Sequence, residues 1–295
     1  MEGKAGHMND QTDDDITAVM RALGEAARGA AASLAVASTD MKNAALTAGA
    51  EAIRASAPEI LAANANDMNA AQGRDLSAAL LDRLELDNAR VEGMAKGLEE
   101  VATLPDPVGS VMAQWSRPNG LEIARVRVPL GVIGIIYESR PNVTADAGGI
   151  CLKSGNAAIL RGGSESFHSS TAIAGCLAQG LEQAGLPKGC IQLVPTRDRA
   201  AVGEMLTMTD CIDVIIPRGG RSLIERVSAE SRIPVIKHLD GNCHVYVHAG
   251  ADLDMARKVV LNAKMRRTGI CGAAETLLID EAILESHLPP ILNDL

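Results

Sequence analysis

The fold is decided by the stretch VIGIIYESRPNVTADAGGICLKSGNAAIL, residues 132–160. It begins with the apolar run Val132–Tyr137, ends with the apolar run Ala157–Leu160, and has a helical pattern between them, near Thr144–Leu152. Strands that are apolar on both faces are typical of a parallel sheet covered by helices on both sides. The stretch therefore predicts a strand–helix–strand unit with a right-handed crossover.

The same alternation continues toward the C-terminus. Further strands are predicted at residues 191–194, 212–216 and 235–236, and further helices at residues 166–183, 199–208 and 222–230. Short apolar runs separated by helices predict an α/β fold with a doubly wound parallel sheet. Such sheets bind ligands at the carboxyl ends of their strands.

The N-terminal third is predicted to be a helical layer. Apolar residues recur at spacings of three and four from Ile16 to Leu34, and Thr39 is the predicted cap of a second helix that runs to Ile53. Further helices are predicted after Ser56 and at residues 76–84 and 89–102, and residues 1–14 are predicted to be a polar tail.

A β-hairpin is predicted between this layer and the sheet, at residues 112–129. The period of the apolar residues changes to two, and Asn119-Gly120 lies between the two runs. Asn-Gly is a strong signal for a tight hairpin turn.

Composition excludes several classes of function. The chain has 295 residues, 47% of them hydrophobic, with a net charge of −9 and only one Trp, two Tyr and one Phe. Its 28 basic residues are scattered, so no nucleic-acid partner is expected. The longest apolar run, residues 128–137, is far shorter than the roughly 20 residues that cross a bilayer, so no membrane span is expected.

The N-terminus and the cysteines favour a cytoplasmic protein. Asp13, Asp14 and Asp15 precede an apolar segment that is interrupted by charges, which argues against a signal peptide. The six cysteines include no Cys-x-x-Cys pair, which favours reduced thiols over disulfides or a zinc site. No metal site is predicted.

Two predicted strand ends carry paired glycines beside arginines. Amide groups at a glycine turn can hold a pyrophosphate, although a tight turn that needs glycine for its own geometry explains each loop equally well. Arg161 stands where NAD-binding sheets often offer an acidic residue to the ribose 2′-hydroxyl, and it would suit a 2′-phosphate, so NADPH is favoured. The predicted cofactor residues are Arg161, Gly162, Gly163, Glu165, Arg218, Gly219, Gly220 and Arg221.

Cys271 is the predicted nucleophile. It follows the cations Lys264, Arg266 and Arg267 and precedes Gly272. Nearby positive charge favours the reactive thiolate, and flanking glycine lets a substrate approach the sulfur. The alternative is a small buried cysteine with no chemical role. Cys243 is adjacent to His244, but neighbouring residues on a strand point to opposite faces, so this pair is not expected to act as nucleophile and base.

Five motifs in one order resemble a known family: residues 137–144, 161–165, 217–221, 238–244 and the Cys271 loop. They are similar to the gamma-glutamyl phosphate reductases, also called glutamate-5-semialdehyde dehydrogenases, of the aldehyde dehydrogenase superfamily. The resemblance covers about residues 16–279. It implies NADPH-dependent reduction of L-glutamate 5-phosphate to L-glutamate 5-semialdehyde and phosphate, in proline synthesis, through a thioester on a cysteine.

The resemblance also implies an aldehyde-dehydrogenase-like division of the chain. Residues 15–111 and 130–237 would form the NADP-binding domain, residues 112–129 a hairpin that leaves it, and residues 238–295 part of a catalytic domain. Family members continue well past Leu295, so the chain is expected to be C-terminally truncated. The resemblance implies homo-oligomers for the family; the part of family members beyond Leu295 carries a strand used in oligomer formation, so no homo-oligomer is predicted for this shorter chain.

Several residues take roles by this resemblance. Asn142 would donate to the developing oxyanion together with the backbone N–H of Cys271. His238 stands where hydrolytic aldehyde dehydrogenases have a glutamate base that activates water. The absence of that base would protect the thioester from hydrolysis. Arg140 and His238 are assigned to substrate binding, although a structural ion pair explains Arg140 equally well and a strand-end position can explain His238.

Two other functions are carried forward. One is a catalytically inactive cofactor-binding fragment, which would bind nucleotide without turnover. The other is a CoA-acylating aldehyde dehydrogenase, which would exchange the thioester with CoA; the run Glu138–Asn142 disfavours it because it resembles the phosphate-using family.

Overall fold

The computed structural model of the chain describes residues 7–72, 78–138, 140–239 and 241–295. The chain forms two compact units, Met1–Lys237 and His238–Leu295. Some residues used in the predictions lie outside the described ranges. They are Ser139 and Asp240 of the quoted motifs, residues 1–6 of the predicted tail, and the first two residues of the helix predicted at 76–84. Among the described helices, none combines the length and the apolar character needed to cross a bilayer.

The secondary structure alternates as the apolar pattern predicts. The helices are α1 His7–Leu34, α2 Thr39–Ala55, α3 Ala57–Gln72, α4 Ala78–Leu84, α5 Asn88–Thr103, α6 Val143–Lys153, α7 Phe167–Gln183, α8 Ala200–Met205, α9 Arg221–Glu230, α10 Leu253–Met265 and α11 Leu284–Asp294. The strands are β1 Val111–Ser116, β2 Glu122–Val126, β3 Val132–Tyr137, β4 Ala157–Arg161, β5 Ile191–Leu193, β6 Val214–Arg218, β7 Cys243–Val247 and β8 Ala274–Ile279.

The first unit contains a four-stranded parallel sheet in the order β5-β4-β3-β6. Every residue of β3 is buried. Ile133, Ile135 and Tyr137 pack into one apolar cluster with α2, α5, α6 and α7, whereas Val132 and Ile136 pack into a second cluster with α1 and α8. Helices thus cover both faces of the sheet, and the predicted doubly wound α/β fold is confirmed.

Three local predictions need correction. Helix α1 begins at His7, inside the predicted tail, because no glycine or proline interrupts residues 7–23. Ser38, and not Thr39, caps α2: its hydroxyl accepts from the N–H of Met41 at 3.2 Å. The strand predicted at residues 235–236 is a single bridge between Ile215 and Val235, because Pro234 offers only a carbonyl to the sheet.

The antiparallel pair β1–β2 forms a hairpin that is largely exposed. At its tip the N–H of Arg117 donates to the carbonyl of Leu121 at 2.8 Å. Gly120 adopts a φ of +83°, which explains the glycine at this position of the turn.

The second unit has a smaller core. Strands β7 and β8 pair in parallel. Val247 on β7 packs with Ala256 and Val260 of α10 and with Ile291 of α11. The other face of the two strands is exposed at Tyr246 and Leu278.

Helices α2 and α7 pack so closely at Gly180 that an alanine should not fit. A Cβ built on Gly180 would lie 2.5 Å from the carbonyl oxygen of Ala45 and 2.6 Å from the nitrogen of Gly49. We expect Gly180→Ala to lower the free energy of unfolding by about 1–3 kcal/mol or more in urea titrations, because backbone atoms must separate.

Gly175→Ala on the same helix is the matched control. A Cβ at Gly175 would meet no atom within 4 Å. This substitution should leave stability unchanged or raise it by up to about 1 kcal/mol, because alanine favours helix over glycine. Equal effects of the two substitutions would contradict the packing described.

Candidate active site

A cavity of about 540 Å³ opens at the carboxyl edge of the sheet in the first unit. Residues from the ends of β3 and β4, from the loop after β5 and from α9 line it. The volume lies within the ~300–1,000 Å³ that is usual for small-molecule sites. Its charged lining residues are Glu138, Arg161, Glu165, Arg197, Arg199 and Arg226.

Arg161 lies at the end of β4 and is buried, with 6% of its surface exposed. Its guanidinium donates to the carbonyl oxygens of Gly162, of Arg197 at 3.0 Å and of Asp198 at 3.3 Å. Burial lowers the pKa of Arg161, and the nearby carboxylate of Glu165 opposes this effect. The Nε atom of Arg161 is buried and has no hydrogen-bond partner among the described residues.

Gly162 and Gly163 form the turn that leads from β4 toward α7. A Cβ on Gly162 would approach the ring of Tyr137 and the hydroxyl of Ser170 to 3.3 Å, and one on Gly163 would overlap the carboxylate of Glu165. Glycine at both positions therefore keeps the backbone of this turn close to its neighbours, and Gly163 lines the cavity.

The second glycine turn follows β6 and is held by Glu138. The N–H of Gly220 donates to the carboxylate of Glu138 at 2.8 Å, and the N–H of Glu138 donates to the carbonyl of Arg218 at 3.2 Å. Gly219 is packed against the same carboxylate. The backbone N–H of Gly220, at the start of α9, therefore binds the carboxylate of Glu138. The start of a helix is a position that favours a negatively charged group.

Sequence reasoning missed four of the charged residues that line the cavity: Glu138, Arg197, Arg199 and Arg226. Arg197 and Arg199 follow the apolar run at residues 191–194 in the same way that Arg161 follows β4. Because all parallel strands of a sheet end at one edge, residues after this third run are expected at the same site as those after the other two. Glu138 directly follows the apolar run Val132–Tyr137 and carries the same signal, whereas Arg226 lies within a helix and carries none.

Asn142 and Arg140 lie in the loop between β3 and α6. The side-chain amide of Asn142 donates to Asp146 at 2.9 Å, and Asn142 is half-buried at the start of α6. The hydroxyls of Tyr137 and Thr144 share a buried hydrogen bond of 2.7 Å, which ties α6 to β3. Arg140 is half-buried.

In the second unit Cys271 is exposed on a turn. The turn spans Ile270–Ala273, since the N–H of Ala273 donates to the carbonyl of Ile270 at 3.0 Å. Lys264, one of the cations near Cys271 in the sequence, forms an ion pair with Glu275 at 3.0 Å. Its charge is therefore partly neutralised. His238, the first residue of this unit, is exposed.

The segment before β7 supports the Cys271 turn. A Cβ on Gly241 would lie 1.8 Å from the carbonyl oxygen of Cys271, so only glycine fits there. The thiol of Cys243 is 3.4 Å from the same oxygen. His244 instead contacts the carbonyl of Asn242, at 2.7 Å from its Nδ1. Gly241 and Cys243 thus both lie against the peptide group between Cys271 and Gly272.

The aldehyde dehydrogenase family profile matches residues 3–294. A relative from Rhodospirillum rubrum, named gamma-glutamyl phosphate reductase, is 64% identical over 291 residues, which cover 98% of this chain and 68% of the relative. The chain thus spans about two thirds of the length of the curated relatives it matches.

Solved structures agree with this similarity. The crystal structure of gamma-glutamyl phosphate reductase from Thermotoga maritima aligns with a TM-score of 0.85 and 41% identity, over 93% of this chain and 66% of that chain. The yeast enzyme of the same name, from Saccharomyces cerevisiae, aligns with a TM-score of 0.70 and 34% identity, over 93% of this chain and 68% of that chain.

Exposure predicts which thiols react. Cys243 and Cys271 are exposed, whereas the other four cysteines are buried, and burial raises the pKa of Cys151 to about 12 and that of Cys190 to about 11. We expect iodoacetamide at neutral pH to label only Cys243 and Cys271 in the folded chain, and all six cysteines in urea.

Peptide mass spectrometry would locate the labels, and Cys271→Ser is the control, because it should remove one label and leave the label on Cys243. Labelling of a buried cysteine as fast as that of Cys271 would show that this assignment is wrong.

Proposed function

The chain belongs to the gamma-glutamyl phosphate reductases of the aldehyde dehydrogenase family, and on this premise we propose that it is an NADP-dependent oxidoreductase. The proposed reaction reduces L-glutamate 5-phosphate with NADPH to L-glutamate 5-semialdehyde and phosphate, a step of proline synthesis. We place it in the cytoplasm. The observation that carries the proposal is the exposed thiol of Cys271, on a turn that only glycine at position 241 permits.

The cavity residues fit a nicotinamide dinucleotide. An acidic chain with a net charge of −9 places four arginines and two glutamates around this cavity, which favours an anionic ligand. Glu138 occupies an amide at the start of α9 that could equally bind a phosphate oxygen. The unpaired Nε of Arg161 is a further buried donor beside the cavity. The cofactor residues predicted from the two glycine turns are retained in this proposal, with Arg161 as the residue that holds the loop after β5 beside the cavity.

The chemistry on Cys271 follows from an acyl phosphate as the electrophile. The thiolate attacks the acyl carbon, the C–O bond to phosphate breaks, and a thioester forms as phosphate leaves. The chemistry that bound NADPH supplies is a hydride for the thioester carbon. The C–S bond then breaks, which releases the aldehyde and returns the thiolate.

Negative charge builds on the carbonyl oxygen in both steps and needs donors. We assign this role to the amide of Asn142 and the backbone N–H of Cys271. One N–H of the Asn142 amide bonds to Asp146, and an amide group has a second N–H to offer. Such a donor is typically worth about 100–1,000-fold in rate. Arg140 and His238 remain the proposed substrate residues.

Cofactor binding and turnover are separate proposals, because the chain spans about two thirds of the length of its relatives. A nucleotide-binding chain without turnover is therefore the second candidate. Binding measured alone, and turnover measured in the reverse direction, distinguish the two.

We expect the chain to reduce NADP⁺ with glutamate 5-semialdehyde only when phosphate is present, because phosphate must cleave the thioester. Cys271→Ala should abolish this turnover and leave the Kd for NADPH within about twofold, since the nucleotide cavity is formed by residues of the first unit. Absorbance at the NADPH band and calorimetry are the measurements.

The outcomes separate the candidates. Turnover that persists in Cys271→Ala would remove this cysteine from the mechanism. Binding without turnover in the unsubstituted chain would favour the second candidate, and dependence on CoA in place of phosphate would favour a CoA-acylating enzyme.

A further inference from the structure

We propose that the loop carrying Arg197 and Arg199 recognises the 2′-phosphate of the cofactor, and that Arg161 acts as a positioning residue which holds this loop against the end of β4. The inference rests on the proposed NADPH function and names the residues that would distinguish NADPH from NADH. Arg199 is assigned the direct contact with the phosphate.

Arg161 is already committed to the protein backbone. Its guanidinium donates to three carbonyl oxygens, and two of them belong to Arg197 and Asp198. Turning Arg161 toward a phosphate would leave these carbonyls without their charged donor. Its role at this edge is therefore to hold the loop.

The loop lies beside the end of β4 because β5 is the neighbour of β4 in the sheet. Asp198 separates the two arginines, but its carboxylate accepts from the N–H of Ala200 at 2.9 Å. The carboxylate of Asp198 is therefore bound by a backbone N–H at the start of α8. Arg197 and Arg199 both line the cavity.

The other cavity arginines have partners. Arg226 bonds to both carboxylate oxygens of Glu230, at 3.1 and 3.0 Å. Arg197 lies over the ring of Phe167, with 4.9 Å from its Cζ to the ring centroid, and its Nη2 is 2.6 Å from Nε2 of His168. Within the part of the chain that the structure describes, the guanidinium of Arg199 has neither a hydrogen bond nor an ion pair.

A 2′-phosphate is the part of the ligand that these features match. Arginine binds phosphate oxygens in a bidentate manner, and hydrogen bonds between charged groups contribute more than neutral ones. Arg197 is pre-positioned by Phe167, which reduces the entropy lost when it contacts a ligand. Arg199 supplies a charge that has not been neutralised. NADH lacks the 2′-phosphate that Arg197 and Arg199 would bind.

The test compares two fragments of the cofactor, 2′,5′-ADP and 5′-ADP, by calorimetry on the full chain. We expect the unsubstituted chain to bind 2′,5′-ADP at least about tenfold more tightly, which corresponds to about 1.4 kcal/mol. Arg199→Ala should lose most of this ratio and leave the Kd for 5′-ADP within about twofold. Arg125→Ala is the matched control: this arginine is exposed on β2 and does not line the cavity, so the ratio should stay unchanged in that variant.

A double-mutant cycle tests the positioning role of Arg161. If Arg161 acts through the loop, Arg161→Ala should lower the ratio alone but add little to Arg199→Ala. Additive losses would mean that Arg161 contacts the phosphate itself and would overturn the positioning role. Should Arg161→Ala fail to fold, Arg161→Lys replaces it in the cycle.

The failures of the two proposals are distinguishable. No binding of either fragment by the folded chain would refute the nucleotide site, and with it this inference. Equal affinities in the unsubstituted chain, or a ratio that survives Arg199→Ala, would overturn the inference and leave the nucleotide site in place.

Discussion

Parallel pairing of the strands is the constraint on which the cavity at the carboxyl edge of the sheet depends. Because the strands of the first unit run in the same direction, their carboxyl ends meet at one edge. The register sets Arg161 beside Ile136 and Arg218 beside Tyr137, so both glycine turns flank the end of β3. Glu138, the next residue, then reaches the amide of Gly220. Charges that lie far apart in the sequence come together in one cavity for this reason.

Much of this arrangement was predictable from the sequence. Wholly apolar runs give a buried parallel sheet, and glycine pairs after two of them mark the turns at its ligand-binding edge. The burial of Arg161 and its bonds to Arg197 and Asp198 were not predictable, because they depend on where the loop after β5 lies. Local patterns do not report such contacts. The choice of Ser38 over Thr39 as a cap was equally hidden, since Thr39 bonds instead to the distant Asp106.

The second unit shows the same limit. Cys271 could be singled out from its glycines and its preceding cations, and the structure has it exposed on a turn. The support of that turn by Gly241 comes from thirty residues earlier in the chain and was not predicted. The ion pair between Lys264 and Glu275 was also not predicted, and it gives the charge of Lys264 a carboxylate partner. The turn that carries Cys271 and the cavity at the sheet edge thus both depend on contacts between distant segments.

The central claim is that the carboxyl edge of this sheet binds NADPH. Hydrogen exchange measured by mass spectrometry, with and without NADPH, tests it most directly. The account predicts slower exchange in the segments at 161–166, 197–202 and 218–223, which surround the cavity, and unchanged exchange in the β1–β2 hairpin. Protection confined to other segments, or none at saturating NADPH, would contradict it.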